Sequence, residues 1–249
     1  MVQFDTLIEL PEDEDIIWRY LSFSRFAAML ENGGVFFPRA HLFEDQWEGS
    51  LSSQNLEVRR ESLAEAGVDE SRVNSLLGTS SGFNEWNRQW MLVSCWHLDD
   101  VESDAMWRLY GSGEGRLALR SSVGRLRGVL PDDIQVGRVN YIDYATDAIP
   151  QGNILFPYFH KRTSFKHEHE LRAVRWDRSR LTQVGHVDLS IKAPDAGEWV
   201  KVDLTVLFES LFVSPEAPPW FATLLRQVLE RYGLSCSVHY SRLANDPVF

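Results

Sequence analysis

Phe165-Lys166-His167-Glu168-His169-Glu170-Leu171-Arg172 runs without a break into Ala173-Val174-Arg175-Trp176. Read as one strand, side-chain alternation predicts Glu168, Glu170 and Arg172 on one face, each about 6–7 Å from the next. His167, His169 and Leu171 then face the other way. Two carboxylates and a guanidinium in file are costly to bury unpaired, and solubility does not need them there. Such a face suits a polar pocket. The competing reading is a solvated edge strand whose charges deter edge-to-edge pairing.

The segments around this stretch give the frame. Ile16-Ile17-Trp18-Arg19-Tyr20-Leu21 predicts a strand, and Ser22 or Ser24 can cap a helix whose apolar positions Phe26, Met29 and Leu30 recur at helical spacing. Asn32-Gly33-Gly34 stops it, and Val35-Phe36-Phe37 starts the next strand. Residues 43–50 form an acidic polar loop with Glu44, Asp45 and Glu48. Residues of about 54–90 are helical in pattern, with Leu56, Leu63, Val73, Leu76 and Leu77 as apolar positions and Gly67 and Gly78 as breaks. Strand character returns at Met91-Leu92-Val93-Ser94-Cys95-Trp96, and a helical turn from Asp104 to Tyr110 should end at Gly111. Further strands are expected at 116–119, 136–144, 200–204, 211–213 and 235–240, with a helix or loop at 154–161. Pro218-Pro219 opens a helix that Gly233 stops. Regular βαβ alternation is missing, so the fold expected is α+β with a mixed, mainly antiparallel sheet. One domain should span residues 1–249, with a helical insertion at about 54–90.

Composition limits the function classes. An apolar content of 44% with 9 Trp and 14 Phe specifies a folded chain with a sizeable core. The formal net charge of −11 argues against bulk binding to nucleic-acid phosphates, though not against a local basic pocket of Lys161, Arg162, Arg172 and Arg175. Neither a membrane span nor a secretory leader is expected, and Cys95 and Cys236 form no CxxC pair, so reduced thiols and a cytoplasmic location are expected.

Several of these pieces occur together in a known family. Trp18-Arg19-Tyr20, Phe43-Glu44-Asp45 with Glu48-Gly49, Ser94-Cys95-Trp96, Ala105-Met106-Trp107 with Tyr110-Gly111, and Lys161 followed by Phe165, Glu168, Glu170 and Arg172 resemble the bacterial family of domain of unknown function 2971. Val213-Ser214-Pro215 and Ser241-Arg242-Leu243 fit the same pattern. That resemblance covers nearly the whole chain and implies no particular activity. A more distant resemblance does concern chemistry. Arg19 on a first strand, Ser94 on a middle strand and Glu168-x-Glu170 on a late one stand in the order of the ADP-ribosyltransferase superfamily, which has a split sheet. Two features depart from it: a Ser-Thr-Ser motif is missing, and Arg172 follows the second Glu.

This second resemblance implies NAD⁺ as substrate and no metal, with the acceptor (protein, nucleic acid or small molecule) open. Phage defence or toxicity would be its setting, by analogy alone. NAD⁺ splits through an oxocarbenium-like state, which a facing carboxylate stabilises more than the ground state. Glu170 would take that role and Glu168 would accept the nucleophile's proton. Arg19 would clamp the pyrophosphate or adenosine ribose, Ser94 would hold the nicotinamide ribose, and Tyr20 or Trp96 would stack on a ring. Lys161 and Arg172 complete the expected binding set.

Each residue also has a plain structural reading. Arg19 can be an ion pair with Glu44 or Asp45, Ser94 a strand serine bonded to backbone, Trp96 and Trp107 core aromatics, and Cys95 a small buried hydrophobe. Two other functions fit the same residues. One is a metal-dependent, nuclease-like hydrolase with Glu44, Asp45, Glu48, Glu168 and Glu170 around Mg²⁺ and Lys161 or Lys166 as base. The other is a non-catalytic interaction protein in which the Glu168–Arg172 face pairs with Arg19 and Lys161 in a structural network and the helical segment at about 54–90 is the partner-binding surface.

Overall fold

The computed structural model describes residues 7–110, 115–179 and 188–245; Gly111 and the first six residues lie outside them. The chain opens as the sequence dictates: β1 (Ile16–Ser22), α1 (Phe23–Glu31) and β2 (Gly34–Pro38). Ser22 caps α1 by accepting the Arg25 N–H, and Asn32 closes it ahead of Gly33, whose φ of +51° suits glycine. The helical segment follows as α2 (Ser53–Glu65) and α3 (Glu70–Asn87). Gly67 breaks it at φ +76°, whereas Gly78 lies inside α3 and does not. Both helices expose most of their surface, and they attach by Asn55 to the Ile149 backbone and by Asn87 to the Tyr158 hydroxyl. This segment contributes no strand to the sheet.

Then come β3 (Met91–Leu98), α4 (Asp104–Leu109), β4 (Arg116–Ser122), α5 (Val123–Val129), β5 (Gln135–Arg138), β6 (Asn140–Ile142), β7 (His160–Arg162) and β8 (Glu170–Trp176). The chain continues through β9 (Gly197–Lys201), α6 (Leu204–Leu207), β10 (Ser210–Val213), α7 (Pro219–Arg231) and β11 (Ser237–Tyr240). Seven strands form an open sheet in the order β11-β10-β4-β1-β3-β8-β5, antiparallel throughout except for the β10–β11 pair. The expected strand at 136–144 is divided between β5 in this sheet and β6, which pairs in parallel with β7.

Register assigns each side chain to a face, because directly opposed residues share one. Trp18 opposes His97, His97 opposes Glu170, and Cys95 opposes Arg172. These residues, with Tyr20, therefore occupy one face. Ile17, Arg19 and Leu21 of β1, Ser94 and Trp96 of β3, and Leu171 and Ala173 of β8 occupy the other. That second face carries the main core, packed by Phe26, Val123, Leu126, Leu207, Phe221 and Leu225 from α1, α5, α6 and α7. The first face carries two smaller apolar clusters, one around Val93, Val174, Phe156 and Tyr158, the other around Trp18, Tyr20, Met106 and Trp107. The charged residues of β8 stand on that face. No helix among the described residues is long and apolar enough to cross a membrane.

Candidate functional site

The stretch expected as one strand is two structures. Thr163–Glu168 forms a 3₁₀ turn, His169 adopts the left-handed conformation at φ 42°, and β8 begins only at Glu170. Glu168 is therefore not a strand neighbour of Glu170, and His167 and His169 are exposed on the turn instead of sharing a strand face with Leu171. The physical reason is local: residues 163–169 have no alternating apolar set to pin them to a sheet. Backbone bonds hold the turn to the strands, since the Leu98 N–H donates to the His169 carbonyl (2.8 Å) and the Val139 N–H to the Glu170 carbonyl (2.9 Å).

Glu168 and Glu170 nonetheless meet, at Lys161. Its Nζ stands 2.8 Å from Glu168 Oε2, 2.7 Å from Glu170 Oε1 and 3.2 Å from Glu48 Oε1, with the Phe165 ring centroid at 4.6 Å. Arg172 adds a second cation: Nε donates to Glu170 Oε2 (2.7 Å), Nη2 pairs with Glu48, and Nη1 donates to the Tyr158 carbonyl. Glu48 is positioned by Gly49, where φ is +78° and any Cβ would strike the Tyr158 ring. All five charged groups are buried; Glu168 is the most accessible at 6%. Three carboxylates facing two cations leave one negative charge in excess. Asp45 and Arg162 add a balanced pair beside them, at 2.8 Å.

This asymmetry drives the two carboxyls of the pair apart. Burial pushes Glu168 up to about 7, helped by its hydrogen bond and repulsion with Glu170 and opposed by Lys161. Burial acts on Glu170 in the same direction, but the charges of Arg172 and Lys161 overcome it and hold this carboxyl well below the usual range. The Lys161 ammonium is held charged, because its carboxylate partners outweigh its desolvation.

The remaining expected site residues divide between the two faces. Tyr20 is on the Glu170 face, but its hydroxyl accepts the Ser103 N–H (2.8 Å) and its ring packs edge-on against Trp107, so it is not a free stacking surface. Arg19 and Ser94 lie on the opposite face and do not converge with Glu168 and Glu170. The reason is strand parity, since Trp18 and Tyr20, not Arg19, share the face of His97. Arg19 donates to Ser94 Oγ (2.6 Å) and the Phe36 carbonyl (3.1 Å) and lies over Trp96 at 5.3 Å. It has no carboxylate partner among the described residues, neither Glu44 nor Asp45, and burial pushes its pKa down to about 10. Trp96 is a core residue whose Nε1 donates to Ser94 Oγ. Cys95 shares the Glu170 face and is half-buried, not fully buried, and desolvation raises its thiol well above the ordinary range.

Sequence reasoning missed three residues at this site. Tyr141 is the cross-strand partner of Lys161, and its hydroxyl accepts the Glu170 N–H at 2.9 Å. Tyr110, at the end of α4, keeps much of its surface exposed, yet partial desolvation and the nearby charges of Glu168 and Glu170 raise its phenol. His97 opposes Glu170, and its Nδ1 lies 2.7 Å from the Glu168 carbonyl. Two left a signal in the sequence: Tyr110 stands in the quoted Tyr110-Gly111 motif without a role, and His97 lies two positions beyond Cys95 and so on the same strand face. No group of three or more His, Cys, Asp or Glu among the described residues is arranged to hold a metal ion; Lys161 occupies the point where the three carboxylates converge. No family model matches the chain, and no curated protein matches it.

Proposed function

We propose that the chain is an enzyme acting at a glycosidic bond, with NAD⁺ as the substrate, Glu170 as the ionised carboxylate that faces the developing ribosyl cation, and Glu168 as the base. The single observation that carries this reading is the Glu168–Glu170 pair on Lys161. Two carboxyls with proton affinities driven apart divide naturally into a permanent anion and a group that exchanges protons near neutral pH. The C–N bond between ribose and nicotinamide breaks with its electron pair leaving on nicotinamide. The acceptor's oxygen or nitrogen then bonds to ribose C1, and its proton passes to Glu168. Arg172 and Lys161 keep Glu170 charged and aimed. The distant resemblance to ADP-ribosyltransferases supports NAD⁺ as donor, but Arg19, Ser94 and Trp96 have no part in this version of the site.

The test is nicotinamide release from NAD⁺ by the wild type and two variants. Glu170→Gln should abolish cleavage while folding persists, and Glu168→Gln should impair transfer to an acceptor more than hydrolysis. Full turnover in Glu170→Gln would end the reading. A nuclease-like role would need Mg²⁺ where Lys161 now stands among Glu48, Glu168 and Glu170. Mg²⁺-dependent cleavage of nucleic acid, with no action on NAD⁺, would put that role first.

A further inference from the structure

Beside the pair lies a cavity of about 400 Å³, a volume in the range of small-ligand sites. Its polar lining is sorted by element. Asp15, Asp99 and Asp100 come from the ends of β1 and β3, while Arg138, Lys166 and His169 come from the end of β5 and the 3₁₀ turn. Tyr141 lines it too and joins it to the catalytic pair, since the same hydroxyl accepts the Glu170 N–H. The side chains of Lys166 and Asp100 have no ion-pair or hydrogen-bond partner among the described residues.

Another acceptor lies beside this wall without a donor. The Glu168 carbonyl can only accept, so His97 Nδ1 carries the hydrogen and Nε2 presents a lone pair. Nε2 is closed to solvent, unpartnered, and 4.0 Å from Asp99 Oδ2, itself an acceptor. His169 Nδ1 is 3.7 Å from the same oxygen. An acceptor-rich wall needs hydroxyl donors, and a cationic wall needs an anion. Bare polyphosphate fits poorly, because three carboxylates would repel it.

We propose that this cavity binds a nucleoside diphosphate, with the ribose diol on Asp99 and Asp100 and the phosphates on Lys166, Arg138 and His169. The inference deepens the reading of the Glu168–Glu170 pair as a site of NAD⁺ cleavage and rests on it. It moves the phosphate anchor from Arg19 to residues that line the cavity at the strand ends beside Glu170.

Calorimetric titration of the whole chain with ADP, 2′,3′-dideoxy-ADP and pyrophosphate tests it. ADP should bind saturably, with the dideoxy compound and pyrophosphate both weaker by roughly tenfold or more, the loss expected for a charge-assisted hydrogen bond. Lys166→Ala should weaken ADP and pyrophosphate alike, and Asp99→Asn should weaken ADP while sparing the dideoxy compound. Lys166 is exposed, so its variant is a safe folding control. Absence of saturation at ADP concentrations on the order of 1 mM would overturn the proposal, as would ADP binding indifferent to both variants. ADP binding must also survive Glu170→Gln. ADP binding without NAD⁺ cleavage in the wild type would retire the catalytic reading and leave this site standing; cleavage without ADP binding would do the reverse.

Discussion

Glu168 and Glu170 grip one ammonium from two kinds of backbone, a 3₁₀ turn and a strand, with a left-handed His169 as the joint between them. The joint converts what would be an ordinary strand spacing into a convergence on Lys161. Removing any one component should therefore disturb the others in a predictable direction.

Lys161→Met should destabilise the fold by about 3–5 kcal/mol, the typical effect of leaving a buried charge unpaired. Three carboxylates would then face Arg172 alone. Protonating one of them relieves this, so the deficit relative to wild type should shrink on acidification from pH 8 to pH 5. Urea denaturation at both pH values measures it.

Glu168→Gln should change how stability depends on pH. A carboxyl raised to about 7 stabilises the folded state fully below its unfolded value of 4.5 and loses that contribution as pH rises through 7. Wild type should therefore lose stability relative to Glu168→Gln between pH 5 and pH 8. Glu170 acts in the opposite sense, since its contribution is present above the ordinary carboxylate range and is lost as pH falls below it. Buried His97 and His160 titrate in both proteins and cancel in the difference.

Arg19→Met and Ser94→Ala should leave the rate and Michaelis constant for NAD⁺ within about twofold of wild type, because neither group reaches the Glu170 face. A tenfold rise in the Michaelis constant would place the substrate on the helix-covered side of the sheet and contradict the site described above.

His169→Val should cost about 1–2 kcal/mol, since a β-branched residue is poorly suited to φ 42°. His169→Gly should be neutral to within about 0.5 kcal/mol, the relief of strain offsetting the added freedom of the unfolded chain. Thermal melting of the two variants side by side decides this.

Much of the frame was legible in the sequence because local chemistry specifies it. Ser22 caps α1, Gly33 ends it, and the apolar runs of β1, β2 and β3 leave little choice. The turn before β8 was not legible, because left-handed geometry usually advertises itself as Gly or Asn and here falls on a histidine. Nor could the sequence relate one strand to another. Parity within β1 separates Arg19 from Tyr20, but which of them shares a face with Glu170 depends on the Trp18–His97 pairing, a tertiary fact. The pairing of Lys161 with the Glu168–Arg172 stretch is legible in the sequence, but its convergence with Glu48 is not, because the short strand that carries Lys161 follows from pairing with Tyr141.

The position of β1 has a consequence for synthesis of the chain. It is the first strand among the described residues yet lies inside the sheet, between β3 and β4. Its hydrogen-bonding edges thus stay unfilled until Met91–Leu98 and Arg116–Ser122 have left the ribosome. Until then Ile16-Ile17-Trp18 is an apolar strand template that other nascent chains can pair with. The capped α1 and the helices α2 and α3 are local and can form early, whereas β2 must wait for β9, its partner at Gly197–Lys201. The protein is therefore most vulnerable to aggregation while its first hundred residues wait for their partners, and slowing translation past β4 should not worsen its yield, whereas slowing it before β3 should.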